Sequence, residues 1–307
     1  MIKRILQELH NFGISNPQIC ELPISGLSLT AIAIKIDHSN RYELWEHFRN
    51  IKDEIGFYPV VTATCGDDKG SWEACVREED FFIRDPFTSN QSGLDIDPLS
   101  IIERSTTVDV SKVLEAHNRV YSEDLVDYVP SSIDDIRHEF DKAPTEQDVL
   151  TAMASGQAQD YFQLQRWLFD WQLQNVAIES MKKQDSSFLD WYEPQEQAEV
   201  LMLLPTINGY EALAYIHWYG AESVSSESAI AMLRKWNKEY GAELVAHYGT
   251  MLHLTAARLP SDPHQAFNLA MEQEALAPST TALPGATLSD LAAALLTKKN
   301  WFLHERP

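Results

Sequence analysis

Cysteine is rare in this sequence, basic residues are in short supply, and long apolar runs are absent. The three cysteines, Cys20, Cys65 and Cys75, are odd in number and irregular in spacing. That excludes a disulfide framework and a zinc motif, and it fits a reducing compartment. No stretch reaches the ~18 apolar residues a membrane span needs, so no membrane segment is expected. Met1-Ile-Lys-Arg opens directly into an amphipathic pattern with no small-residue cleavage site, so no signal peptide is expected and the localisation expected is cytoplasmic. Lys and Arg number 24 against 46 Asp and Glu, a net charge of -22. Such a surface repels nucleic-acid phosphates and anionic lipid. It fits either simple solubility or electrostatic steering toward a cationic partner.

What is present is core-forming material. Hydrophobic residues make up 44% of the 307, with 8 Trp, 11 Tyr and 12 Phe. These must find a core or a partner, and the length indicates about two domains. Ile2, Ile5, Leu6, Leu9 and Phe12 share one helical face, ended by Gly13. Residues 27–36, apolar on both faces, read as a buried strand. Leu44, Phe48, Ile51 and Ile55 define a helix closed by Gly56, and residues 58–65 form a second strand. Strand, helix, strand is the order of a βαβ unit. Residues 99–155 are short helical patterns interrupted by Pro130 and Pro144, and residues 157–182 read as one long helix.

Further on, residues 200–204 form a strand and a helix capped at Ser225 or Ser226 runs to Gly241. Residues 244–248 and 251–257 are strands around a turn at Gly249. Asp262-Pro263 starts a helix, Thr287 with Asp290 resembles a capping box, and residues 301–304 add a last strand. The expected fold class is α/β (α+β), a mixed sheet flanked by helices. It divides into an N-terminal βαβ-like region (1–105), an acidic helical segment (106–185) and a C-terminal α/β domain (186–307).

Several residues are candidates for chemistry. The loop Gly66-Asp67-Asp68-Lys69-Gly70-Ser71 follows the second strand, where α/β folds gather ligands. It lacks the P-loop spacing, and its two aspartates repel phosphate. Asp67 and Asp68, with Glu73 beyond and Cys65 at the strand end, are the catalytic candidates. The alternatives are a solvated turn and an inert buried cysteine. His217, His247 and His253 lie near Glu211 and Glu243, but no metalloprotease spacing occurs, and neither a metal nor a cofactor is expected. Trp218, before Gly220, is the first choice for a contact residue, with the acid Glu222 beside it as a second binding candidate, the alternative being core packing. Residues 121–160 hold ten acids and two basic residues, and Asp134, Asp135 and Glu139 stand for that acidic surface as binding candidates.

The strings Leu204-Pro205-Thr206, Glu211-Ala-Leu-Ala-Tyr215, Trp236 and Lys238-Glu-Tyr-Gly-Ala-Glu-Leu-Val245 carry a resemblance. Leu269-Ala270, Glu272-Gln273, and Leu291-Ala292 ahead of Trp301 extend it in the same order. Residues 195–303 thereby resemble the bacterial domain-of-unknown-function family 4253, and Trp45, Arg49, Gly56, Tyr58, Pro59 and Val60 resemble the region preceding that domain. The resemblance implies a bacterial or phage-borne source and an α/β domain, and it supplies no reaction. The expected function is an acidic intracellular protein-binding module of the immunity or antitoxin kind, recognising a basic protein partner. The alternative is a hydrolase or transferase with its site around the loop from Asp67 to Glu73.

Overall fold

The computed structural model describes residues 2–24, 28–63, 71–73, 76, 97–123, 125–194, 199–216 and 218–306, with the side chain of Glu222 outside the description. The chain divides into two compact units. One comprises residues 1–108, 191–257 and 300–307, and the other residues 109–190 and 258–299. Residues 258–299, grouped from sequence with the C-terminal domain, therefore belong with the helical segment. Among the described residues no helix is long and apolar enough to cross a membrane.

The first unit is a sheet with helices. Its strands are β1 (Ile19–Pro23), β2 (Thr30–Ile36), β3 (Tyr58–Ala63), β4 (Glu199–Leu204), β5 (Glu243–Tyr248), β6 (Met251–Thr255) and β7 (Asn300–His304). They form one mixed sheet in the order β1-β2-β4-β3-β5-β6-β7. Composition explains the order. Every residue of β4 and β5 is buried, as a strand covered on both faces requires, whereas β1 and β7 at the two edges alternate between buried and more exposed positions.

The βαβ reading holds with one insertion. β2 and β3 each pair antiparallel with β4 and so run parallel to one another, with β4 between them. Only the side-by-side pair β3–β5 is parallel among the described strands. β1 went unread because five residues ending in proline give a weak period, and its register comes from pairing with β2.

The labelled helices of the first unit are α1 (Ile2–Asn11), α2 (Arg41–Asn50), α3 (Pro98–Ser105) and, further along the chain, the helix Ser226–Tyr240. Ser225 caps the last of these through its side chain, and Gly241 closes it in the left-handed region at φ 65°. A Cβ at Gly241 would stand 2.8 Å from that of Ala257, so glycine is required for both conformation and space. On this helix Trp236 meets Trp301 of β7 edge to face, with ring centres 6.2 Å apart, and both are fully buried.

The second unit is helical: α4 (Ser111–Ser122), α5 (Leu125–Phe140), α6 (Glu146–Ala154), α7 (Tyr161–Asn175), and then, after the Ser226–Tyr240 helix, here α8, come α9 (Pro263–Leu276) and α10 (Leu288–Leu295). Asp262 caps α9 with Pro263 in its first turn, and Thr287 with Asp290 forms a complete capping box on α10. Two readings from sequence are corrected here. Pro130 lies inside α5 rather than ending a helix. It forfeits one backbone bond, while Leu125, Val129, Ile133 and Ile136 keep one face of the helix buried. The helix read over 157–182 stops at Asn175, because Val176 is extended (φ -120°, ψ 137°), and a separate turn follows at Ile178–Met181.

Candidate functional site

Among the described residues, ionisable groups gather in each of the two units. In the first, the end of the sheet where β2, β3 and β5 finish carries Glu199, the opening residue of β4, opposite Ile36 and Ala63. Glu199 is buried. Its carboxylate meets His38 Nδ1 at 3.0 Å and Arg41 Nε at 3.6 Å, and Tyr248 donates its hydroxyl to it at 3.4 Å. His38 Nε2 and Arg41 also engage Glu193. Burial pushes the Glu199 carboxyl above the usual range, against the opposing pull of Arg41 and His38.

Beside this cluster, His253 is fully buried under Trp191, the rings stacked 5.2 Å apart, and Tyr192 donates its backbone N–H to His253 Nε2. Burial, helped by the field of Arg41, lowers the His253 pKa to about 3, so this imidazole is neutral at physiological pH. A pocket of about 310 Å³ lies toward the opposite end of β5, walled by Tyr42, Trp45 and Trp191 with Arg49 and Glu243 at its rim. Arg49 Nε donates to Glu243 at 2.6 Å, and Lys52 stands 3.5 Å from the same carboxylate.

In the second unit, α5 and α10 bring three carboxylates together. Asp135 and Glu139 are one turn apart on α5, and both feel Asp290 of the α10 capping box. The Glu139 carboxyl is raised to about 8, first by desolvation, then by the charge of Asp290 and a hydrogen bond with it, then by Asp135. Among the described residues no cation offsets these causes at Glu139. Glu139 therefore favours its protonated form at neutral pH. Asp134 pairs with Arg137 on the exposed side of the same helix. In the same helical unit the acids Glu123, Asp127, Asp141, Glu146 and Asp148 are exposed, as are the apolar side chains of Val120, Val126 and Leu150.

The residues singled out from sequence fall unevenly. Cys65, Asp67 and Asp68 lie outside the described residues, as does His217. Glu73 is half-buried in a helical stretch begun by Trp72. Asp135 and Glu139 are brought together, whereas Trp218 is not a surface contact. It is fully buried, and its indole N–H donates to the Thr250 carbonyl at 3.1 Å. Gly220 owes its place to this ring, since a Cβ there would lie 2.3 Å from it. Glu211 accepts from Thr206 and Asn208, and Glu243 pairs with Arg49 and Lys52. His247 is buried in β5. Among the described residues no group of three or more His, Cys, Asp or Glu is placed to hold a metal ion.

Arg41 and Glu199 were missed as site residues. The legible signal for Arg41 is its spacing, since 41, 44, 45 and 48 share the buried face of α2 and a charge there needs a partner. Asp290 carries no such signal, because its neighbours on α5 are about 150 residues earlier in the chain.

Fold and clusters together define an α/β protein with a seven-stranded mixed sheet flanked by helices and a helical unit carrying an acidic face. Residues 200–304 match the family described as a domain of unknown function, DUF4253. The matched segment takes in Glu243, His253, Glu274 and Asp290, while His38, Arg41, Asp135 and Glu139 precede it. No curated protein and no solved structure matches the chain.

Proposed function

We propose that this protein is a protein-binding module that recognises a basic protein partner through the acidic face of its helical unit, in the manner of immunity or antitoxin proteins. The observation that carries this reading is the convergence of Asp135, Glu139 and Asp290 from two helices, with no cation among the described residues to offset Glu139. Glu139 avoids like-charge repulsion by keeping its proton, and a cationic surface allows it to ionise and pair on binding. The exposed Val120, Val126 and Leu150 on the same unit supply apolar contact area. The net charge of -22 steers such a partner over a distance.

The test is capture of the native protein's partner from its own cells, followed by affinity measurement on the purified pair. One stoichiometric basic protein is expected, with affinity falling as salt rises and falling at least about tenfold in Asp135→Lys and Glu139→Lys. Binding also has a signed pH dependence. A cation beside Glu139 favours its carboxylate and expels the proton, so affinity rises with pH up to about 8 and levels off above it. Glu139→Gln removes that slope. A partner that binds the charge-reversed variants as tightly as the native chain overturns the proposal.

A second reading, a hydrolase or transferase, is favoured by the Glu199–His38 pair. The two stand 3.0 Å apart where β3 ends at Ala63, four residues before the pair Asp67 and Asp68 in the sequence. A carboxylate and an imidazole in contact can move a proton. Turnover of an ester, phosphoester or peptide substrate is expected to fall by about 10²-fold or more in His38→Ala. Turnover that survives both His38→Ala and the double variant Asp67→Ala/Asp68→Ala, or no turnover on any of the three classes, ends this reading.

A further inference from the structure

The helix α7 buries Tyr161, Leu164, Gln165, Leu168, Phe169 and Gln172. Two glutamines on an otherwise apolar buried stripe are out of place unless something needs them. Both face a pocket of about 170 Å³ within the helical unit. Gln172 is 2% exposed, and its carbonyl oxygen Oε1 has no hydrogen-bond partner among the described residues. An orphaned acceptor at that depth costs stability, and its position on the pocket wall points to a donor that arrives from outside.

The rest of the wall describes that donor. Glu274 of α9 lines the pocket and is buried. Tyr161 donates to it at 3.1 Å and Thr281 at 3.3 Å, and His117 lies 3.4 Å away. Among the described residues no Lys or Arg pairs with Glu274. The rings of Tyr121, Tyr128 and Tyr161 stand 5.2 to 6.4 Å from one another around the same space. Asp135 of the acidic face also lines the pocket. Aromatic faces, a buried carboxylate and a vacant amide acceptor together favour an organic cation with several N–H donors. The volume is well below the ~300–1,000 Å³ typical of drug-sized ligand sites, and it suits the end of one long side chain.

We propose that this pocket binds a guanidinium or alkylammonium group, held by Gln172 Oε1 and Glu274 and flanked by the three tyrosines. Resting on the acidic-face reading, the inference assigns the group to an arginine or lysine side chain of the basic partner, which anchors the interface through the pocket beside Asp135. The pocket's own chemistry does not depend on that reading, and a free small amine would use the same contacts.

The test uses the full chain with n-butylguanidinium and its uncharged analogue n-butylurea, followed by calorimetry and by chemical shifts of the protein. Saturable binding of one n-butylguanidinium per chain is expected, weakened about tenfold or more in Gln172→Met and in Glu274→Gln, with no binding of n-butylurea. Circular dichroism checks each variant's fold, and Gln172→Met, close in volume, keeps the test decisive if Glu274→Gln fails to fold. Absence of binding, equal binding of n-butylurea, or unchanged binding in folded Gln172→Met overturns the proposal. A second arm separates the sources. Displacement of the basic partner by n-butylguanidinium supports the side-chain anchor, whereas binding without displacement overturns the anchor and leaves a free amine as ligand. A partner indifferent to charge reversal at Asp135 and Glu139 would remove the acidic-face reading while leaving the n-butylguanidinium result standing.

Discussion

Replacing Arg41 with methionine is expected to cost about 3–5 kcal/mol of folding stability, the range for leaving one member of a buried ion pair alone. The reason is the burial of Glu199, whose carboxylate sits among the strand ends with Arg41, His38 and Tyr248 as its neighbours. Methionine fills much of the same space and removes the charge. A neutral variant at both positions, Arg41→Met with Glu199→Leu, should recover most of the loss, because two apolar groups leave no charge to desolvate. Urea unfolding at neutral pH reads both results. A single variant within ~1 kcal/mol of the native protein, the worth of an exposed ion pair, would show that Arg41 and Glu199 are coupled no more tightly than surface charges.

Trp218→Ala is expected to lose a similar amount, about 3–5 kcal/mol for a buried Trp truncated to Ala. The indole is fully buried, its ring packs against Gly220, and its N–H satisfies the Thr250 carbonyl. Truncation therefore opens a cavity and leaves an acceptor without its donor. The neighbouring Tyr219 is 39% exposed, and Tyr219→Ala should change stability far less. Thermal melts of the two variants side by side discriminate core from contact. Equal, small losses would return Trp218 to the role that its sequence neighbours Gly220 and Glu222 first indicated.

These two residues mark where sequence reasoning stops. Helix ends were legible because caps are local: Ser225, Asp262, Thr287 with Asp290, Gly56 and Gly241 each act within a few residues of the end they set. Strands with strong apolar character, such as residues 200–204, were legible for the same reason. Trp218 was misplaced because a tryptophan beside glycine and an acid looks the same in a core as on a rim. Only the carbonyl of Thr250, 32 residues on, decides between them. Pro130 was misread because propensity favours a break, while the packing of Val129, Ile133 and Ile136 sustains the helix.

The acidic face shows the same division. Its charge excess over residues 121–160 and its members Asp134, Asp135 and Glu139 were visible in the chain itself. Their convergence with Asp290 was not, and neither was the pocket that Gln172 of α7 and Glu274 of α9 share. By itself the sequence determined the class, the charge, the helix caps and the apolar strands, because propensity, capping and composition act over a few residues. The place of β4 between β2 and β3, the pairing of Arg41 with Glu199, and the return of residues 258–299 to the helical unit were decided only in the tertiary structure. Each of these joins segments from 68 residues apart (Asp190 to Arg258) to more than 150, and such joins are chosen by which buried surfaces and charges fit one another, a quantity no local stretch of sequence contains.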